Sequence, residues 1–105
     1  MAVILVLYTE LMPYNVVVFR ALVERGCRMH VVLWDTNKLT PYHPPMEQGI
    51  TYYNRSSFWN VDHLNILVQR LRPDLVWCAG WIDPMYNEAC VWIRKNFRIP
   101  IIASS

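Results

Sequence analysis

The chain is poor in glycine and lacks the cysteine patterns of disulfide-rich and zinc-binding proteins, and both absences exclude classes of protein. Three of its 105 residues are glycine, which excludes collagen-like and glycine-rich low-complexity chains. The three cysteines, Cys27, Cys78 and Cys90, are odd in number and include no C-x-x-C pair, so neither a disulfide framework nor a zinc site is indicated. We therefore expect reduced thiols and a cytoplasmic location.

The chain also lacks a basic run and an apolar run long enough to span a membrane. A formal net charge of +2 with scattered arginines is too weak to indicate a nucleic-acid partner. A hydrophobic fraction of 54% with 17% charged residues is typical of one small globular domain. Five tryptophans and six tyrosines exceed what so small a core needs. The apolar surface left over would suit a second domain, a membrane surface or a second copy of the chain.

Short apolar runs alternate with amphipathic segments in the order β-α-β-β-α-β-α-β. The apolar runs predict strands over 2–8, 29–34, 50–53, 74–79 and 99–103. Apolar residues at i, i+3, i+4 and i+7 predict helices over 14–25, 58–72 and 84–98, the second capped by Ser56 or Ser57. This order predicts a three-layer, Rossmann-like α/β domain over residues 1–105, with a mostly parallel sheet in the order 3-2-1-4-5. The fifth strand is expected to be buried, and the sheet to be cut after it.

Ligands of such sheets bind beyond the carboxyl ends of the strands, so the residues that follow each strand are candidates for a site. After the first strand these are Glu10, Met12, Tyr14 and Asn15. No glycine occurs in this loop, which argues against the G-x-G-x-x-G pattern of dinucleotide-binding proteins. The start of the helix could bind an anion. The alternative is that Glu10 is a solvated carboxylate and Asn15 a helix cap.

The second group of candidates follows the fourth and fifth strands: Gly80, Trp81, Asp83 and Ser104. Asp83 precedes a proline at the first helical position, which is a favoured arrangement for an N-cap. It is also the acidic residue best placed for catalysis, with Trp81 beside it in the same loop. The remaining tryptophans are expected to pack in the interior.

The histidines His30, His43 and His63 fall in three separate segments, and their spacing does not indicate a metal site. His63 is expected on a solvated helix face. The sequence contains neither a phosphate-binding P-loop nor a G-x-S-x-G elbow. We therefore expect no metal and no tightly bound cofactor.

Five segments together resemble the N-terminal half of GT-B glycosyltransferases of the group 1, family-4-like class. They are the first strand and loop Val3-Ile-Leu-Val-Leu-Tyr-Thr-Glu-Leu-Met-Pro13, the helix end Leu22-Val-Glu-Arg-Gly26, the strand His30-Val-Val-Leu-Trp34, the segment Leu71-Arg-Pro-Asp-Leu-Val-Trp77 and the segment Arg98-Ile-Pro-Ile-Ile-Ala103. The likeness spans nearly the whole chain. The sequence departs from the family in two places: Met12-Pro-Tyr14 stands where Gly-Gly is usual, and no histidine follows the fourth strand.

The resemblance implies transfer of a sugar from a nucleotide-sugar donor to a glycan or lipid-linked acceptor, as in polysaccharide synthesis. This half would hold the acceptor, and a C-terminal domain that this chain does not contain would bind the donor. The 105-residue chain would then be inactive alone. The alternative is a small stand-alone ligand-binding or protein-interaction module of flavodoxin-like type.

Overall fold

The structure, a computed structural model, describes residues 1–10, 13–34, 46–79 and 83–103. Its strands are β1 (Ala2–Leu7), β2 (Cys27–Leu33), β3 (Ile50–Asn54), β4 (Leu75–Cys78) and β5 (Ile101–Ala103). Its helices are α1 (Pro13–Glu24), α2 (Val61–Leu71) and α3 (Pro84–Asn96), with a 3-10 turn over Arg55–Ser57. The five strands form one parallel sheet in the order β3-β2-β1-β4-β5. The prediction of a Rossmann-like α/β domain with strand order 3-2-1-4-5 is confirmed.

Strand β1 lies at the centre of the sheet and supplies both of its faces. Ile4 and Val6 point towards α1, in a core that includes Phe19. Leu5 and Leu7 point to the other face, where α2 and α3 pack. Because a central parallel strand is covered on both faces, it reads as a continuous apolar run rather than an alternating one.

Asp74 explains why a Pro-Asp pair precedes β4. Pro73 cannot continue a helix, and Arg72 ends α2 in the left-handed conformation, with φ 46°. The Asp74 backbone N–H donates to the Val3 carbonyl (2.7 Å), and its side-chain Oδ2 accepts from the Val3 N–H (2.8 Å). Asp74 therefore fixes the start of β4 against β1.

The start of α2 differs from the prediction. The helix begins at Val61, three residues later than expected, because Arg55–Ser57 form a separate 3-10 turn. Asn60 is the N-cap, and its side chain accepts from the His63 N–H at 3.2 Å. The expected caps Ser56 and Ser57 are therefore wrong.

Strand β5 also differs, since it was expected to be buried. Its side chains are half-buried or exposed, and Ile102 is 51% exposed. The reason is its position: β5 lies at the edge of the sheet and, within the described part of the chain, pairs with β4 alone. Strand β3 lies at the opposite edge, as predicted.

Candidate functional site

The carboxyl edge of the sheet carries a polar cluster around Asp83. This residue is 4% exposed and caps α3, where its Oδ1 accepts from the Met85 N–H at 2.9 Å. The predicted N-cap role is therefore confirmed. Pro84 follows at the first helical position, where its missing N–H leaves no donor unsatisfied.

Two side chains from other strands converge on the same carboxylate. Trp34 follows β2 and donates its indole Nε1–H to Asp83 Oδ2 at 2.9 Å. Arg55 follows β3 and donates from Nε to Oδ2 (2.8 Å) and from Nη2 to Oδ1 (3.3 Å). Arg55 Nη1 also donates to the Phe58 carbonyl at 3.2 Å, which holds the guanidinium over the 3-10 turn.

Tyr86 forms the floor of this cluster. Its ring is fully buried, and the Arg55 guanidinium lies 6.0 Å from the ring centroid. Its hydroxyl donates to the Tyr8 carbonyl at 2.6 Å, just beyond the end of β1. Burial raises the pKa of the Tyr86 hydroxyl, with the nearby Asp83 charge acting in the same direction, so the group stays protonated as a donor. The cluster thus joins the region after β4 to the ends of β1, β2 and β3.

The Asp83 carboxylate is held in its charged form. Burial alone would raise its pKa, but the hydrogen bonds from Arg55, Trp34 and the Met85 N–H outweigh burial. The result is a pKa below the ordinary value of 3.8. The guanidinium beside it balances the charge, so the cluster as a whole is neutral.

An open cavity of about 280 Å³ lies beside this cluster, lined by Trp34, Arg55, Ser56 and Asp83. Trp34 is 37% exposed. The cavity therefore combines an indole ring, a hydroxyl and an ion pair, a mixture suited to a small ligand with both apolar and hydrogen-bonding parts.

The described site residues predicted after β1 are not among the residues that line this cavity. Glu10 is exposed, and Tyr14 is 64% exposed at the start of α1. Asn15 is not a cap: it lies inside α1, which begins at Pro13, and its Nδ2 donates to the Tyr8 hydroxyl at 3.3 Å. Of the other predicted site residues, Met12, Gly80, Trp81 and Ser104 lie outside the described residues.

Three residues of the cavity were missed from the sequence: Trp34, Arg55 and Ser56. A signal existed, because Trp34 follows β2 and Arg55 follows β3, and both positions border the carboxyl edge. The residues predicted for the site mainly follow the first and fourth strands. The prediction that Trp59 packs in the interior is also wrong, because this residue is 86% exposed.

Within 1–10, 13–34, 46–79 and 83–103, no group of three or more His, Cys, Asp or Glu side chains could hold a metal ion. In the same ranges, every helix is too short or too polar to cross a membrane. His63 lies exposed on α2, as predicted.

Comparisons with known proteins add little to this geometry. No protein-family model matches the chain, and no curated protein matches it. Among solved structures it is similar to the Bordetella bronchiseptica enzyme WbmH in complex with NAD+, with 21% sequence identity and a TM-score of 0.45. The match covers 78% of this chain and 28% of WbmH, so the chain spans less than a third of that enzyme's length. A likeness this small carries no functional argument.

Proposed function

We propose that this chain is the N-terminal, acceptor-side domain of a nucleotide-sugar-dependent glycosyltransferase of GT-B type. The observation that carries the proposal is the cavity between Trp34, Arg55, Ser56 and Asp83 at the carboxyl edge of the sheet. Ligands of open α/β sheets bind at this edge. The family resemblance of the β2, β4 and β5 segments supports the same assignment.

The lining of the cavity favours a neutral sugar over a phosphate. The C–H face of a pyranose can pack on the partly exposed Trp34 indole, whose plane is fixed by its hydrogen bond to Asp83. The Ser56 hydroxyl can both donate to and accept from sugar hydroxyls. Because Asp83 neutralises Arg55, the described lining residues offer an anion no net positive charge.

Within this proposal Asp83 shapes the cavity rather than transferring a proton. Its two oxygens accept four hydrogen bonds, from Trp34, Met85 and twice from Arg55. A carboxylate held in this way with a lowered pKa is a weak base, whereas a general base needs a pKa near the working pH. The catalytic role predicted for Asp83 stays a prediction, which turnover of Asp83→Asn in the full enzyme tests.

Indole resonances provide a direct test of the cavity. We expect neutral methyl glycosides to shift the Trp34 Nε1–H resonance of the ¹⁵N-labelled chain, with a Kd on the order of 1 mM, about −4 kcal/mol. The exposed Trp59 indole should not respond. Because a substitution removes its own indole resonance, binding to the variants is followed at the backbone amide of Ser56 in the cavity lining. Trp34→Ala should abolish binding, and Trp59→Ala is the matched control that should retain it.

The alternative function, a stand-alone flavodoxin-like binding module, is tested in the same titration. If no glycoside moves the Trp34 resonance, the acceptor proposal is wrong. If FMN or NAD+ binds at the same edge instead, the stand-alone binding module replaces it. The glycosyltransferase proposal also requires a second, donor-binding domain, and sequencing the reading frame past residue 105 tests this requirement separately.

A further inference from the structure

A second cavity lies at the opposite edge of the sheet, where β2 and β3 begin. Its volume is about 370 Å³, and the described residues that line it include Arg28, His30, Gln48, Gly49 and Thr51. Arg28 supplies a cationic side chain, and His30 becomes cationic when it is protonated. No carboxylate lies among the described lining residues. The cavity therefore presents positive charge together with amide and hydroxyl donors.

We propose that this amino-edge cavity binds a phosphate group, either free or as a phosphomonoester. Arg28 would supply the guanidinium, whose planar N–H groups suit phosphate oxygens. His30, Gln48 and Thr51 would supply further donors around the cavity. This site is separate from the acceptor cavity and does not depend on the proposed glycosyltransferase function.

His30 is fixed in orientation by Tyr53 on the neighbouring strand. The His30 Nδ1 lies 2.9 Å from the Tyr53 hydroxyl, and the two rings stack with centroids 5.9 Å apart. Burial raises the pKa of the Tyr53 hydroxyl, so this group stays neutral. In the neutral tautomer whose Nδ1 accepts from the Tyr53 hydroxyl, the imidazole proton is on Nε2, which leaves a hydrogen-bond donor at the other end of the ring.

The wall beside β3 is rigid because Gly49 packs tightly. Gly49 has φ +89°, and a Cβ added there would lie 2.7 Å from Val23 Cγ1 on α1. The Gly49 carbonyl accepts from the Met29 N–H at 2.8 Å, which ties this turn to β2. The cavity is therefore bounded by fixed backbone, as binding without reorganisation requires.

Because the His30 pKa responds to nearby charge, phosphate binding should be measurable as a change in the His30 pKa. Burial lowers the His30 pKa, and the Arg28 charge lowers it further. Other groups near the ring are the neutral Tyr53 hydroxyl and, from α2, Arg70, whose charge reaches Tyr53. A bound dianion would oppose Arg28 and stabilise the imidazolium, so phosphate should raise the His30 pKa.

Imidazole C–H resonances of the full chain, titrated with pH in phosphate and in chloride at equal ionic strength, test this site. We expect the His30 pKa to rise saturably with inorganic phosphate. The C–H resonances of His63, which lies on the exposed face of α2, should show no saturable response to phosphate. Arg28→Gln should abolish the rise. Arg25→Gln is the matched control, because Arg25 is exposed nearby but does not line the cavity.

A comparison of inorganic phosphate with ribose 5-phosphate distinguishes the two ligands proposed, free phosphate and a phosphomonoester. Tighter binding of the sugar phosphate would indicate a phosphomonoester that fills the cavity, and equal binding would indicate free phosphate. The proposal is overturned if His30 and His63 respond alike, or if both arginine variants lose the response equally. Because His30 lies at the amino edge of the sheet, a negative result for phosphate does not bear on the glycoside titration followed at Trp34 on the carboxyl edge.

Discussion

Asp83 and Arg55 lie 28 residues apart in the sequence and form a two-point ion pair at the carboxyl edge of the sheet, with distances of 2.8 and 3.3 Å. The Asp83 side chain is 5% exposed and that of Arg55 is 26% exposed. The pair connects the residue after β3 to the first turn of α3. It therefore fixes the cavity wall and caps a helix at the same time.

Removing the carboxylate should destabilise the fold strongly. Asp83→Ala loses a helix cap, worth about 1 kcal/mol, and leaves a mostly buried arginine without its counter-charge, which costs roughly 3 kcal/mol where burial is complete. Because Arg55 is partly exposed, we expect a total loss of about 2–4 kcal/mol in urea unfolding. Glu88→Ala, on the same helix but exposed, should stay within about 0.5 kcal/mol.

A double-mutant cycle separates the ion pair from the cap. Arg55→Met combined with Asp83→Ala should cost less than the sum of the two single changes, because no buried charge is left unpaired. Strict additivity would mean that the pair contributes no coupling. In that case the loss in Asp83→Ala would come from the cap alone.

The Asp83 carboxylate should also make the free energy of unfolding depend on pH. Its folded pKa lies below the ordinary value of 3.8, so its contribution is present above the unfolded pKa and is lost as pH falls through the folded pKa. The difference in unfolding free energy between the native chain and Asp83→Asn should therefore shrink between pH 6 and pH 2. A difference that stays constant over this range would show that the native pKa is not lowered.

Gly49 should tolerate a methyl group less well than Gly26. Both glycines have positive φ, +89° and +94°, so alanine strains the backbone at either position by roughly 1–2 kcal/mol. Only at Gly49 does the added Cβ meet Val23, whereas nothing lies within 4 Å at Gly26. We expect Gly49→Ala to cost clearly more than Gly26→Ala in urea unfolding, and Val23→Ala to recover part of the difference. Equal costs would show that the Val23 contact is easily relieved.

The start of α2 can be checked by two small substitutions. Asn60→Ala removes the side chain that accepts from the His63 N–H and should cost about 1 kcal/mol. Ser57→Ala is the control, because Ser57 lies in the 3-10 turn before the helix and should cost no more than about 0.5 kcal/mol. The opposite ranking in thermal or urea unfolding would restore the serine cap predicted from the sequence.

Local sequence signals predicted most of the fold because they act over a few residues. The apolar run of β1 and the Pro-Asp pair before β4 each require a particular backbone environment. Asp83 followed by Pro84 specifies a helix start without reference to the rest of the chain. The cap of α2 was misplaced because Asn60 and the serines at 56 and 57 are all good cap residues. Both serines lie in the 3-10 turn, which leaves Asn60 as the cap.

Periodicity and capping are local properties, so the order of strands and helices and the cap at Asp83 are predictable from the amino-acid sequence, and the alternation of strands with helices predicts the parallel sheet. The contacts of Trp34 and Arg55 with Asp83, the exposure of β5 and the shared cavity of Arg28 and His30 follow only from the folded structure. These relationships join residues from separate strands, and side-chain reach, burial and charge pairing across the sheet settle them. No spacing along the chain encodes those distances.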